Sequence, residues 1–402
     1  MGRPRLSRRS VCVALTTRGN YAKMKSTLCA ASAHPGLELR VVIGGALLDA
    51  SYGDFEAAIA GDGFAIDDKL DYAVGDDSLG GIAEAAGKCT AAMARVIGRL
   101  RPDVALVIAD RYEALSIALA ATCMNVTIAH LEGGEISGSI DERIRHAITK
   151  LADLHFPAND AAAARIGDLD VPDHTVFTVG TPSLDLLGEL DLADVRPLFD
   201  LQARDGEGDA IDFNADYLVV SQHPVVTEYD SAQHQIDVTA AAIDQIGLPA
   251  VWFMPNMDAG GDGVARAIAE HRSRPRRALL RYFASMEMES YATLLSNSRC
   301  LVGNSSSGIR ECAFLGVPVV NIGTRQQGRA RGPNVIDVGH DTSVIADAVR
   351  GQIDHGRYPS DTLYGDGRAG ERIASALIGW RAADASAETT GVSATPAIAA
   401  KG

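Results

Sequence analysis

The sequence predicts an α/β protein built of two doubly wound domains with a cleft between them. Three observations support this. Short β-branched and apolar runs alternate with longer, Ala-rich amphipathic stretches, the pattern of parallel strands joined by crossover helices. The alternation stops over residues 191–212, an acid-rich stretch with no clear period, and then restarts. Most strand-like runs end in loops rich in Gly, Ser, Arg, His or carboxylates, and open α/β sheets bind ligands beyond the carboxyl ends of their strands.

In the first domain (residues 1–190), VCVALTT (11–17), LRVVIGG (39–45), VALVIAD (104–110), VTIAHLEGG (126–134), LHFPA (154–158) and VFTVGT (176–181) read as buried strands. GGIAEAAGKCTAAMARVIGRL (80–100) has helical period. Residues 191–212 read as a linker. The second domain (213–365) repeats the pattern in YLVVSQHP (217–224), AVWFMPN (250–256), ALLRYF (278–283), RCLVGNS (299–305) and VPVVNIG (317–323). Residues 366–382 read as a terminal helix packing back on the first domain. Residues 383–402 are small, polar and unpatterned and read as a disordered tail.

Composition narrows the function. The 402 residues include 52 acidic and 37 basic side chains, a net charge of −15. That argues against a phosphate-backbone partner, which needs a basic face, but not against a nucleotide, which needs only local donors. The six cysteines show no metal-ligand spacing, so no zinc site is expected and the setting reads as reducing and cytoplasmic. The basic N-terminus is followed by too short an apolar run for a signal peptide, and no stretch is long enough to span a membrane.

The strand-end loops hold the candidates. LVGNSSSGIREC presents Ser305 and Ser306 at a helix start, where hydroxyls, N–H groups and the helix dipole favour an anion. The plain alternative is an N-cap with a solvated serine run. Arg325 and Arg329 follow the next strand, and Glu311, one turn into the helix, suits ribose hydroxyls. LTTRGNYAK sets Arg18 and Lys23 at the mouth of the other domain. IADRYEA ends an apolar strand in Asp110 and Arg111, and a partly desolvated carboxylate there suits acid/base work. HLEGGEISGSIDERIRHAITKL is the densest polar segment. Glu132 follows a strand directly, and Ser139 with Glu142 forms a capping box that starts a helix and puts Asp141 in its first turn. Glu142 and Arg143 read as helix surface. Asp110, Glu132 and Asp141 are expected at one sheet edge, a grouping that suggests proton transfers. His223, held extended before Pro224, reads as a phosphate donor or an acid/base. Asn256 ends another strand, where an amide suits a base or ribose. His130 and His155 read as packing residues.

Together these motifs resemble the UDP-N-acetylglucosamine 2-epimerase family over residues 11–380, most densely in ADRYEALSIALAA, HLEGGEISGSIDERIRHAITKLADLHF, VGTPSLD and LVGNSSSGIRECAFLGVPVVNIGTRQQGR. The resemblance implies the glycosyltransferase B-type fold, two Rossmann-like domains with a central cleft. GNSSSGIRE and DERIRHAITKL stand where non-hydrolysing members carry D-S-G-G and P-E-E-x-N-R, so the chain looks like the hydrolysing branch, which releases N-acetylmannosamine and UDP. The resemblance places Arg18, His223, Asn256, Ser305, Ser306, Glu311 and Arg325 on UDP and Arg111 near the sugar or phosphates. It makes Asp110, Glu132 and Asp141 the acid/base carboxylates. Ala22 departs from the pattern, since relatives often offer a serine there. No cofactor or metal is expected, and the expected assembly is a homodimer or homotetramer. The readings left open are a diacetamido sugar nucleotide of the legionaminic acid pathway, non-hydrolysing epimerisation, glycosyl transfer, and sugar-nucleotide binding without catalysis.

Overall fold

The computed structural model describes residues 8–49, 54–72, 79–108, 111–136, 140–254, 261–272 and 275–380. The first sheet holds β1 (Arg9–Leu15), β2 (Leu37–Gly44), β3 (Ile66–Leu70), β4 (Val104–Ile108), β5 (Thr127–Leu131) and β6 (Leu154–Phe156). All pair in parallel, in the order β3-β2-β1-β4-β5-β6. Between them run α1 (Arg18–Ala33), α2 (Phe55–Gly61), α3 (Leu79–Leu100), α4 (Tyr112–Cys123) and α5 (Ile140–Leu151), with α6 (Asp160–Gly167) after β6. Both faces of this sheet are covered at its centre, so β4 and the Val11–Leu15 part of β1 are apolar at every position rather than alternating. Val11, Val13 and Leu15 pack into one core, Cys12 and Ala14 into the other.

The second sheet holds β7 (Glu207–Gly208), β8 (Leu218–Ser221), β9 (Ala250–Phe253), β10 (Leu280–Phe283), β11 (Cys300–Gly303), β12 (Val319–Ile322) and β13 (Val335–Val338). Its order is β13-β12-β11-β8-β9-β10-β7, and only β7 is antiparallel. Its helices are α7 (Arg196–Arg204), α8 (Ala232–Ile246), α9 (Gly261–Arg272), α10 (Met288–Asn297), α11 (Ser306–Ile309), α12 (Glu311–Leu315) and α13 (Thr342–His355), with α14 (Ala369–Gly379) at the end. Apart from β7, the order β10-β9-β8-β11-β12-β13 repeats that of the first sheet strand for strand. Each sheet therefore has one point where the winding reverses, β1/β4 in the first and β8/β11 in the second, and a crevice opens there.

The structure differs from the sequence expectation in three places. The stretch 191–212 holds α7 and β7: Leu198 and Ile211 are buried in the second core, and β7 pairs with β10. Its apolar positions, Val195, Leu198, Phe199 and Leu201, are helically spaced but diluted by acids. Residues 176–181 form no named strand, only a parallel bridge between Val176 and His155. The IDDKL of β3 and the VIDV of β13 are edge strands whose acidic residues hid them. The terminal α14 lies on α1: Ile373, Ala374, Leu377 and Trp380 share a core with Leu28 and Ala31. Its first N–H groups, those of Ala369 and Gly370, donate to the Asp185 carboxylate at 2.9 and 2.7 Å.

One backbone approach fixes the second crevice. Gly303 has φ +133°, and a Cβ there would lie 2.2 Å from the Ser221 carbonyl oxygen. Gly303→Ala is expected to cost at least ~2 kcal/mol, combining strain and clash. Gly87, inside α3 with open space around it, gives the contrast: Gly87→Ala should stabilise by about 1 kcal/mol. Urea unfolding followed by circular dichroism checks both signs.

Candidate active site

The site is built from loops at the carboxyl ends of the two sheets, at and beside these reversals. In the second domain, Asn304 follows β11 and is fully buried. Its side-chain oxygen accepts from the His223 N–H at 2.7 Å, and its amide donates to the His223 carbonyl at 2.8 Å. The Asn304 carbonyl accepts from Arg325 at 3.1 Å and Gln326 at 2.8 Å. One asparagine thus binds the loops after β8, β11 and β12 together. Ser305 caps α11, accepting from the Ser307 N–H at 3.3 Å, and Ser306 opens that helix. The helix itself is a single turn. Arg310 breaks it from α12 with φ −106° and ψ −71°, so hydroxyls and backbone N–H groups, more than a long macrodipole, are what this loop offers an anion.

Glu132 ends β5 in the left-handed region, φ +61°. Its N–H donates to the Phe156 carbonyl at 2.9 Å. The twist turns its carboxylate toward the second domain, where Arg310 Nη1 meets Oε1 at 2.9 Å. Thr181 donates to the same oxygen at 2.5 Å, and Lys23 lies 3.6 Å from Oε2. Arg310 also donates from Nη2 to both oxygens of Glu135 at 2.7 Å, with Arg329 3.6 Å from that carboxylate. All three members, Glu132, Glu135 and Arg310, are 3% exposed. Burial pushes the Glu132 carboxyl up, but Arg310, Lys23 and Thr181 outweigh it and hold it well below the usual carboxylate range. Burial likewise opposes ionisation of Glu135, and Arg310 and Arg329 overcome it.

The predicted residues fall into groups. His223, Ser305, Ser306 and Arg325 share the β8/β11/β12 loops. Lys23 and Glu132 meet each other. Glu311 is buried and accepts from Ser183 across the domains at 2.8 Å. Arg111 caps α4 and donates to Glu113 at 3.2 Å. Asp141 sits, half-buried, in the first turn of α5. Asp110, Asn256, Ser139 and the side chain of Arg18 lie outside the described residues, as do residues 383–402. Sequence reasoning did not single out Arg310, Glu135, Thr181, Ser183 or Asn304. One signal for Arg310 was present: an Arg-Glu pair inside the apolar IRECAFL cannot be buried without partners. Among the described residues, no group of three or more His, Cys, Asp or Glu is arranged to hold a metal, and no helix is long and apolar enough to cross a membrane.

A family model described as UDP-N-acetylglucosamine 2-epimerase matches residues 30–378. The chain belongs to the UDP-N-acetylglucosamine 2-epimerase family. It is 32% identical to a UDP-N,N'-diacetylbacillosamine 2-epimerase (hydrolyzing) of Legionella pneumophila, over 90% of this chain and 94% of that one. It is 27% identical to a UDP-N-acetylglucosamine 2-epimerase of Neisseria meningitidis, over 90% and 91%. The fold matches a Neisseria meningitidis UDP-GlcNAc 2-epimerase crystallised with UDP-GlcNAc, at a TM-score of 0.76 and 17% identity over 92% of this chain and 100% of that one. The family's fold, two Rossmann-like domains of the glycosyltransferase B type, is the one described above.

In this family member, burial and the nearby Arg325 cation push the His223 imidazole down to about 3. The ring is therefore neutral at physiological pH. The unfolded chain, with a free imidazole near 6.5, binds the proton first. Below about pH 6.5 the unfolded state is favoured by that proton, so the penalty grows as pH falls toward 3 and is absent above 6.5. In ligand-free protein labelled with 15N-histidine, one imidazole, missing in His223→Gln, should keep neutral-ring shifts from pH 8 to 5.

Proposed function

We propose that the chain is a hydrolysing 2-epimerase of a UDP-linked 2-acetamido sugar, converting UDP-N-acetylglucosamine to N-acetylmannosamine and UDP. The observation that carries this is the ionised Glu132 carboxylate at the boundary of the two domains, facing the domain whose loops gather His223, Ser305 and Arg325. In this reading Ser305, Ser306, Arg325 and His223 hold the diphosphate, with Arg18, Lys23, Arg111, Asn256 and Glu311 completing the nucleotide and sugar contacts.

A carboxylate accepts the C2 proton while the C1–O bond breaks and UDP leaves with the bonding pair, giving a 2-acetamidoglucal. Water then adds its oxygen to C1, and C2 is reprotonated from the opposite face. Donors to the leaving diphosphate lower that barrier because its charge develops as the bond breaks. Glu132, held ionised, suits proton acceptance and not donation. Asp110 or Asp141 is then left to return the proton, and inversion at C2 needs groups on both faces. A second reading, the same chemistry on UDP-N,N'-diacetylbacillosamine, is favoured by the 32% identity to the Legionella protein of that name.

Incubation with each sugar nucleotide in deuterated, 18O-enriched water tests the reading. Free UDP should appear with deuterium at C2 and 18O at C1 of the sugar. Label in UDP, or accumulation of the UDP-linked epimer, rejects it, and the substrate that turns over decides between the two sugars. Glu132→Gln should cut turnover by ~10²-fold or more while UDP still binds; turnover within a few-fold of wild type removes Glu132 from the chemistry. Arg325→Ala should weaken UDP binding by roughly 1.5–3 kcal/mol by calorimetry. Unchanged affinity would place the diphosphate elsewhere.

A further inference from the structure

The geometry points to Arg310 as a positioning residue that ties closure of the two domains to the aim of Glu132, so that this carboxylate is held in its working orientation only when the domains are shut. The inference rests on the role proposed for Glu132. Arg310 belongs to the second domain and sits at the break between α11 and α12. Both carboxylates it binds belong to the first domain. Its guanidinium spans them, with one nitrogen on Glu132 and the other on both oxygens of Glu135. The Tyr364 ring lies 5.5 Å from its Cζ, and the neighbouring Glu311 is held by Ser183.

The other groups around the carboxylates divide between the domains. Lys23 of α1 and the Thr181 hydroxyl face Glu132 from the first domain. Arg145 of α5 donates to the Glu135 carbonyl at 2.5 Å, also from the first domain. Arg329, from the loop after β12, lies 3.6 Å from the Glu135 carboxylate. If the domains part, Arg310 and Arg329 leave together. Glu132 and Glu135 then remain near one another as like charges, with Lys23 and Arg145 as the cations still beside them. Each then binds a proton more readily. Closure reverses this: the planar fork returns, fixes the Glu132 carboxylate between Thr181 and Lys23, and lowers its proton affinity again. A lysine carries the charge but cannot reproduce that bidentate span.

The test compares Arg310→Lys and Glu135→Gln with wild type. Arg310→Lys should lower kcat by ~10-fold or more, with KM changed far less, and move the acid limb of kcat up by about one pH unit or more. Glu135→Gln removes a like charge and leaves Arg310 to Glu132, so its acid limb should stay put or move down. A general loss of structure would affect both variants in the same way. Acid limbs unmoved in Arg310→Lys, or raised equally in both, overturn the proposal. Small-angle X-ray scattering of the ligand-free proteins gives a readout that needs no turnover: Arg310→Lys should have a larger radius of gyration than wild type. An unchanged radius means that other contacts hold the domains shut, and the proposal falls even if the substrate assignment stands. A wild-type protein inert to both sugar nucleotides would instead reject the proposed function while the scattering comparison still judges the closure role.

Discussion

A guanidinium buried between two carboxylates is the interaction on which this structure turns. Arg310 and its partners Glu132 and Glu135 are each 3% exposed, and burying three charges carries a desolvation cost that only near-ideal geometry offsets. Here the geometry is close to ideal: a planar fork, two carboxylates, and distances of 2.7–2.9 Å. Such a triad adds little net stability over an apolar replacement. It specifies, because removing Arg310 leaves two buried carboxylates without their shared cation. The two domains therefore share a boundary set by charge and not only by shape.

The rest of the site follows from where that triad sits. Both sheets wind in the same order, and the triad joins the loop after β5 of one to the helix break after β11 of the other. On one side Glu132 gains its reach from a left-handed backbone, an unfavourable conformation for a residue with a side chain. On the other side Arg310 gains its reach from a broken helix. Local irregularity in both domains thus serves the triad, and Lys25 with Glu289 at 3.3 Å adds a more exposed contact between them.

The loop after β12 links this charge network to the loops after β8 and β11. Arg325 donates to Asn304, which holds His223, while Arg329, one turn of the loop further on, faces Glu135. A short segment thereby touches both the loops that carry His223 and Ser305 and a carboxylate of the buried triad.

By itself the sequence determined what local pattern can determine. The apolar runs of β1, β4, β5, β8 and β11 identified buried parallel strands, because a strand covered on both faces has no polar side to disguise it. The polar strand ends marked His223, Ser305 and Arg325, because a sheet's carboxyl edge is the one place where such residues cost nothing. The edge strands β3 and β13 and the helix α7 were hidden by acidic residues that solvent tolerates at an edge but a core would not. Tertiary structure alone decided the pairings between distant segments. Glu132 and Arg310 are 178 residues apart, and nothing local says that one will neutralise the other. That pairing sets the ionisation of Glu132, because a buried carboxylate takes its charge state from the groups that surround it and not from its neighbours in the chain.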